Sequence, residues 1–156
     1  MDGSTLRTKL PDQGATETWG GELAAVLNPG LVIGLKGPLG AGKTTLVRAL
    51  LRGLGVTGHI KSPTYALLEI YEVSRLYLYH FDFYRINGVY ELDDAGFGEY
   101  FNAHSLCFVE WPERALGWLP PVDLWLELEP VGGGRHLTVS AGTVEGVACL
   151  ERLQKV

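Results

Sequence analysis

Eight consecutive residues, Gly37 to Thr44, match the phosphate-binding pattern GxxxxGK[ST] at every fixed position. Glycine lets successive backbone N–H groups turn towards a bound phosphate, because no Cβ lies in the way. In this pattern the lysine reaches the β and γ phosphates of a nucleotide, and the final hydroxyl is a hard oxygen ligand for Mg²⁺. The segment therefore predicts a nucleoside triphosphate site in which Lys43 and Thr44 take these two roles.

Two carboxylates, each directly after a predicted strand, are candidates to complete this site. Asp82 follows the segment 76–81, and Glu110 follows the apolar segment 106–109. A phosphate-loop enzyme needs a carboxylate at the end of a neighbouring strand to hold Mg²⁺ or its bound waters. Aspartate is the usual residue type, whereas the strand before Glu110 has the cleaner apolar pattern. The pattern alone does not choose between them.

Thr64 lies in the segment 62–64, Ser-Pro-Thr, at a distance from the phosphate loop that is typical of a switch segment. Its hydroxyl is a candidate sensor of the γ phosphate through Mg²⁺. A threonine that only begins a strand after a proline turn fits the same pattern equally well. Both interpretations stay open on the sequence alone.

Apolar periodicity predicts the elements that position these residues. Predicted strands cover residues 5–10, 31–35, 65–71, 76–81, 106–109, 123–129 and 136–140. Predicted helices cover residues 16–27, 44–54 and 144–153, together with a two-part helix over 91–101 that breaks at Gly96 and Gly98. This order predicts one P-loop NTPase-like α/β domain over residues 1–156. Its central sheet is mostly parallel and flanked by helices, with antiparallel edge strands, which the pattern places at one edge.

Composition excludes several classes of protein. The 156 residues carry 18 acids and 13 bases, a formal charge of −5, so the chain lacks the basic footprint of a direct DNA or RNA binder. No apolar run approaches the ~18 residues of a membrane span. The two cysteines, Cys107 and Cys149, form no CxxC motif, which fits a reducing cytoplasm. The four histidines have no metal-ligand spacing and are expected at packing or surface positions.

Four further blocks follow the phosphate loop in a fixed order. They are Lys61-Ser62-Pro63-Thr64-Tyr65, His80-Phe81-Asp82-Phe83-Tyr84-Arg85, Glu91-Leu92 leading to Gly96, and Val109-Glu110-Trp111-Pro112-Glu113. Many families share the loop, but the blocks together are far more restrictive. From about Pro11 to Arg135, the chain resembles the TsaE (YjeE) family of small bacterial P-loop ATPases.

The resemblance implies a Mg²⁺-dependent ATPase that is required for the threonylcarbamoyl modification of the adenosine beside the anticodon of tRNAs. It implies ATP and Mg²⁺ as cofactors, and action with the transferase proteins TsaD and TsaB. The chain itself is then expected to meet tRNA only indirectly, with no DNA or membrane partner.

The resemblance also implies a role for individual residues. Thr44 and Glu110 are expected at Mg²⁺, and Asp82, Glu110 and Thr64 in hydrolysis and switching. Asp12 and Arg135, each in a predicted turn, match family positions near the nucleotide. The full set expected to contact the nucleotide is Asp12, Gly37, Pro38, Leu39, Gly40, Ala41, Gly42, Lys43, Thr44, Thr45, Glu110, Trp111, Pro112, Glu113 and Arg135.

Three other functions compete with an ATPase. A small-molecule kinase usually needs an arginine-rich lid, and between Gly53 and Glu113 only Arg75 and Arg85 occur, which disfavours it. A nucleotide-sensing module without turnover differs only in rate, so the sequence leaves it open. A GTPase is disfavoured because no NKxD guanine-reading motif occurs.

No arginine finger is assigned from the sequence. Arg85, Arg114 and an arginine from a partner are equal candidates, and this gap predicts weak activity in isolation.

Overall fold

A computed structural model describes residues 5–155 of the chain. Its strands are β1 (Thr5–Leu10), β2 (Val32–Lys36), β3 (Leu68–Val73), β4 (Leu76–Asp82), β5 (Ser105–Glu110), β6 (Leu124–Val131) and β7 (Gly134–Ala141). Its α-helices are α1 (Gln13–Ala24), α2 (Lys43–Gly53), α3 (Tyr90–Asp94) and α4 (Val144–Gln154), and short 3₁₀ helices cover Phe97–Tyr100 and Pro112–Ala115. No helix within residues 5–155 has the length and apolarity needed to cross a membrane.

The seven strands form one sheet in the order β1-β7-β6-β2-β5-β4-β3, which confirms the predicted α/β class. Its centre is parallel, since β2 pairs in parallel with β5 and β6, and β5 pairs in parallel with β4. Antiparallel strands lie at both edges rather than at one: β7 and β1 follow β6, and β3 pairs with β4. The carboxyl ends of β2, β4 and β5 therefore lie side by side at one end of the parallel strands, which is where ligands of such folds bind.

Each face of the sheet is covered by a different kind of core. On one face, mainly aliphatic side chains of β2 and β5 such as Ile33, Leu35 and Leu106 pack against helices α1, α2 and α4. On the other face, Phe81 and Phe83 of the β4 segment pack in a cluster with the aromatic residues of the segment 97–118. The central strands are buried on both sides, so they have nearly continuous apolar sequences.

Several element boundaries differ from those predicted by a few residues, and two of these differences have a clear local cause. Helix α1 begins three residues before the predicted start, because the Asp12 side chain caps it by accepting a hydrogen bond from the Ala15 amide at 2.8 Å. Strand β3 begins only at Leu68, because Leu67 donates its N–H to the Pro63 carbonyl and has a φ of +67°. The predicted helix over 91–101 is present in two pieces, α3 and the 3₁₀ helix Phe97–Tyr100, with Gly96 at the break with a φ of +74°. The predicted break at Gly98 is wrong, since this residue lies inside the 3₁₀ helix.

Glycines bring α1 close to α2, the helix that begins at the phosphate loop. A Cβ added to Gly20 would lie 2.6 Å from the Cβ of Ala49, and one added to Gly53 would lie 2.7 Å from the Cβ of Ala24. Real Cβ atoms do not approach so closely, so the two helices can pack at this distance only because these positions are glycine. The neighbouring Gly21, also in α1, faces open space.

The Gly20→Ala variant should therefore be less stable than the wild type, by about 1–3 kcal/mol, because overpacking forces the helices apart. Urea unfolding of both proteins measures this difference. Gly21→Ala is the matched control in the same helix and should be neutral or more stable by up to about 1 kcal/mol, since alanine favours a helix. Equal stabilities of the two variants would contradict the close packing.

Candidate functional site

The phosphate loop joins β2 to α2 and depends on glycine at three positions. Gly37, Gly40 and Gly42 have φ values of +148°, +78° and +101°, in a region that other residues rarely adopt. At Gly37 there is also no room for a side chain, since a Cβ would lie 2.7 Å from the carbonyl oxygen of Leu128. Glycine at these three positions therefore allows the backbone conformation that the loop adopts.

The amide groups of this loop are available to an anion. Between Leu39 and Thr44, only the Ala41 amide donates a backbone hydrogen bond within the described residues, to the Pro38 carbonyl at 3.1 Å. Helix α2 has no side-chain cap at Gly42 and no acidic residue in its first turn. The free N–H groups and the positive end of the helix dipole together fit a phosphate chain.

Lys43 is a buried cation at the start of α2, with only 5% of its surface exposed. Its ammonium donates hydrogen bonds to the carbonyls of Gly37 and Pro38 and lies 4.1 Å above the ring centroid of Trp111. Burial lowers the pKa of Lys43, and the carboxylates of Glu110, Glu113 and Asp82 oppose that shift. A bound polyanion would compensate this poorly solvated charge better than neutral carbonyls do.

Thr44 contacts one of the two candidate carboxylates directly. Its Oγ1 lies 3.0 Å from both carboxylate oxygens of Glu110, which is 2% exposed. Oxygen atoms of this type are the ligands that Mg²⁺ prefers, and sites beside phosphates need only one or two of them from the protein. The pair Thr44 and Glu110 therefore fits a Mg²⁺ ion next to a nucleotide. No group of three or more His, Cys, Asp and Glu side chains within residues 5–155 offers a different metal site.

Asp82 lies beside Glu110, because β4 and β5 pair these two residues in register. Burial raises the pKa of Asp82, and the charge of Glu110 raises it further. The Tyr84 amide, which donates to Asp82 Oδ1 at 2.9 Å, and the charge of Lys43 act in the opposite direction. A buried carboxylate with a raised pKa next to a phosphate site is suited to orienting water or accepting a proton.

A cavity of about 560 Å³ opens where these side chains meet. Most of the residues expected at the nucleotide line it, together with the switch candidate Thr64. Its lining is Leu39, Gly40, Ala41, Gly42, Lys43, Thr44, Thr45, Thr64, Asp82, Tyr84, Arg85, Glu110, Trp111 and Arg135.

Five of the expected residues lie around this cavity rather than in its wall. Gly37 and Pro38 begin the loop, and their carbonyls accept hydrogen bonds from the Lys43 ammonium. Asp12 lines an adjacent cavity, and its carboxylate caps α1. Pro112 is buried and Glu113 exposed in the 3₁₀ helix after β5.

Arg135 is also placed against the loop, although it lies in a distant part of the sequence. A Cβ added to Gly42 would overlap the Arg135 guanidinium, so the arginine packs directly on the loop. Arg135 lines both the phosphate-loop cavity and the adjacent cavity that includes Asp12.

Thr64 lies in a turn, not at the start of a strand, so the strand-start interpretation is wrong. The turn is closed by the hydrogen bond from the Leu67 amide to the Pro63 carbonyl at 2.8 Å. The Thr64 hydroxyl is 2.7 Å from the Ser62 hydroxyl, and the residue faces the cavity. Next to it, the exposed ring of Tyr65 lies 4.7 Å from the guanidinium carbon of Arg85.

Besides Tyr84, which lines the cavity, the sequence prediction missed a second residue of the site, His80. Its side chain is 1% exposed, and its Nε2 is 2.6 Å from Oε2 of Glu110. The alternation of β4 contains the signal that would have found it: residues two apart in a strand share a face, so His80 lies on the same face as Asp82. The alternation does not give the register of β4 with β5, so it could not show that His80 contacts Glu110.

A larger cavity of about 720 Å³ lies at the opposite end of the parallel strands. Its buried polar groups already have partners within the protein. Asp123 accepts hydrogen bonds from the Val32 amide and the Thr143 hydroxyl, and Arg152 donates to the Val26 carbonyl. Size alone therefore does not make it the functional site, because its buried polar side chains, among the residues that the structure describes, bond within the protein and are not left to orient a ligand.

The chain is similar to known proteins over most of its length. Residues 10–137 match the family model described as "Threonylcarbamoyl adenosine biosynthesis protein TsaE". A relative from Haemophilus influenzae, named tRNA threonylcarbamoyladenosine biosynthesis protein TsaE, is 37% identical over 144 residues, which is 89% of this chain and 91% of the relative. A relative of the same name from Bacillus subtilis is 39% identical over 119 residues, 76% of this chain and 74% of the relative. The crystal structure of Bacillus subtilis YdiB superposes with a TM-score of 0.82 at 30% identity, covering 97% of this chain and 95% of that one.

The raised pKa of Asp82 predicts a pH-dependent gain in stability when the carboxylate is removed. The folded state holds the Asp82 proton more tightly than the unfolded state, whose pKa is the ordinary 3.8. The free energy of unfolding of the wild type therefore falls as the pH rises from that value through the raised folded pKa. The Asp82→Asn variant does not lose stability in this way, and its amide oxygen can still accept the hydrogen bond from Tyr84. Its free energy of unfolding should therefore exceed that of the wild type at pH 7, and the difference should shrink as the pH falls towards 4.

Denaturant unfolding of the nucleotide-free protein in EDTA, over a series of pH values, measures the margin. Asp94→Asn is the control, because it removes the same charge from an exposed position. An Asp82→Asn protein that is less stable than the wild type at neutral pH would contradict the assignment of a destabilising buried charge.

Proposed function

The chain belongs to the TsaE family, and from this premise we propose that it is a single-domain, Mg²⁺-dependent ATPase required for the threonylcarbamoylation of tRNA adenosine (t6A). The observation that carries the proposal is the contact of the Thr44 hydroxyl with both carboxylate oxygens of Glu110, directly behind a phosphate loop with free amides. Together these groups supply what a Mg²⁺–ATP complex requires of a protein.

ATP binds, in this proposal, through its phosphate chain. The amides from Leu39 to Thr44 donate hydrogen bonds to the phosphates, and Lys43 exchanges the carbonyls of Gly37 and Pro38 for phosphate oxygens. Because Lys43 is already desolvated, it loses little hydration when it makes this exchange. Trp111, next to Lys43, forms the neighbouring wall of the site.

Thr44 and Glu110 would hold the metal ion, since the Thr44 hydroxyl and the Glu110 carboxylate already lie together. When bound, Mg²⁺ neutralises charge that develops on the γ phosphate. Glu110 is suited to this role because it is buried and hydrogen-bonded, so that its carboxylate is held in one orientation.

Asp82 is then left free of the metal and is assigned to the attacking water. Its position beside Glu110 and in the cavity lets it orient a water molecule towards the γ phosphate and accept its proton. Thr64, in the turn that faces the same cavity, is assigned to sense the γ phosphate.

The positions of Arg85 and Arg114 predict weak ATP turnover by the chain alone. Arg85 lines the cavity, but its guanidinium lies against the Tyr65 ring, and Arg114 lies over the Tyr84 ring at 5.2 Å. A cation for the developing charge therefore has to move inwards or come from a partner. We assign the partner role to the TsaD–TsaB pair, in the cytoplasm, with tRNA contacted only through that pair.

The proposal is tested by ATP turnover of the purified chain, alone and with TsaD and TsaB. The pair should stimulate turnover by an order of magnitude or more, since a charge-stabilising group supplied by a partner is worth about 10³-fold or more. Unchanged turnover, with ATP still bound, would instead support a nucleotide-sensing module. Transfer of phosphate to a small hydroxyl compound would support a kinase.

Replacement of Lys43 tests the phosphate site itself. Lys43→Ala should weaken ATP binding about 10- to 100-fold, because the variant loses charged hydrogen bonds worth about 1.5–3 kcal/mol. Isothermal titration calorimetry with ATP and Mg²⁺ measures the change. Lys9→Ala, which removes an exposed lysine of β1, is the control with the same change in charge. Equal affinity of the two variants would rule out the phosphate-loop assignment.

A further inference from the structure

His80 occupies an unusual position for a histidine, in the row of β4 side chains that faces helix α2. In this row Leu78 is part of the aliphatic core and Asp82 reaches the cavity, with His80 between them. The parallel register pairs His80 with Phe108, so that Glu110 is the next residue of β5 on the same face. A polar ring is thus buried where packing alone would favour an apolar side chain.

The two nitrogen atoms of the His80 ring have different surroundings. Nε2 is 2.6 Å from Oε2 of Glu110, whereas Nδ1 is buried and has no hydrogen-bond partner within the described residues. An ionised carboxylate can only accept, so Nε2 carries the proton and donates it to Glu110. A proton on Nδ1 would find no acceptor, and the surroundings of the ring therefore favour one tautomer.

We propose that His80 is a positioning residue for the Mg²⁺ ligand Glu110, which it holds in place through the Nε2–H···Oε2 hydrogen bond. The inference rests on the proposed function, in which Glu110 and Thr44 hold Mg²⁺. It assigns the histidine a role in metal affinity rather than in contact with nucleotide.

The neighbours of Glu110 explain why this carboxylate needs a donor. Asp82 lies beside it in the sheet and repels it when both are ionised. Thr44 has one hydroxyl proton, which it can give to only one of the two oxygens that lie 3.0 Å away. A hydrogen bond from His80 to Oε2 would leave Oε1 available to Thr44 or to the metal ion. Loss of such a supporting hydrogen bond typically costs 10- to 100-fold in metal affinity.

The test compares three replacements of His80 by calorimetry with a non-hydrolysable ATP analogue, in saturating Mg²⁺ and in EDTA. His80→Leu should bind the Mg²⁺-loaded analogue about 10- to 100-fold more weakly than the wild type. It should keep the wild-type affinity in EDTA, because the phosphate loop is intact. His80→Gln should recover most of the loss, since its amide N–H can reach the place of Nε2, whereas the shorter His80→Asn should not.

His104→Gln is the control, because His104 is exposed and lies outside the site. Equal losses in His80→Leu and His80→Gln, or no loss in either, would overturn the positioning role while leaving the proposed ATPase intact. A wild-type protein that gains no affinity from Mg²⁺ would instead overturn the metal assignment of the proposed function, and this inference with it.

A second measurement needs no variant and no turnover. The ¹⁵N–¹H correlation spectrum of the histidine rings in the metal-free wild-type protein distinguishes the two tautomers. The spectrum should show His80 protonated at Nε2, with a proton signal shifted by a short hydrogen bond. A ring protonated only at Nδ1 could not donate to Glu110, and this result would overturn the inference even if His80→Leu failed to fold.

Discussion

The parallel register of three strands is the constraint on which the rest of this site depends. Glu110, the last residue of β5, pairs with Leu35 of β2 on one side and with Asp82 of β4 on the other. Because β2 leads directly into the phosphate loop, this register brings Glu110 to the beginning of α2 and within 3.0 Å of Thr44. A shift of one residue would turn Glu110 to the aromatic face of the sheet and separate it from all of these groups.

The site concentrates charge where the fold would otherwise bury apolar groups. Lys43, His80, Asp82 and Glu110 are all buried at the edge of a sheet whose remaining core is aliphatic or aromatic. The burial raises the pKa of Asp82 and lowers that of Lys43, so both charges are held at some cost to stability. Trp111 adds strained backbone at the same edge, with a φ of +58° in a residue that is not glycine.

The two cores that cover the sheet make this concentration of charge tolerable. On the helix side, the glycine contacts hold α1 against α2, so that the start of α2 and its phosphate loop have a fixed position relative to the strands. On the other side, the aromatic cluster around Phe81 and Phe83 packs against the ends of β4 and β5. In the proposed function, the chemistry is thus carried by a few residues at the carboxyl end of the parallel strands, and the packed faces of the sheet stabilise the fold behind them.

The sequence by itself determined the features that depend on neighbouring residues. The phosphate loop was predictable because its chemistry and its glycine conformations lie within residues 37–44. Most strands and helices, including the break at Gly96, were predictable because periodicity reports which face of an element is buried. Only the tertiary structure showed that the carboxylate in contact with Thr44 is Glu110, 66 residues away, and that His80 is hydrogen-bonded to Glu110. Periodicity gives the face of a strand but not its neighbour or its register, since these are set by contacts between distant parts of the chain.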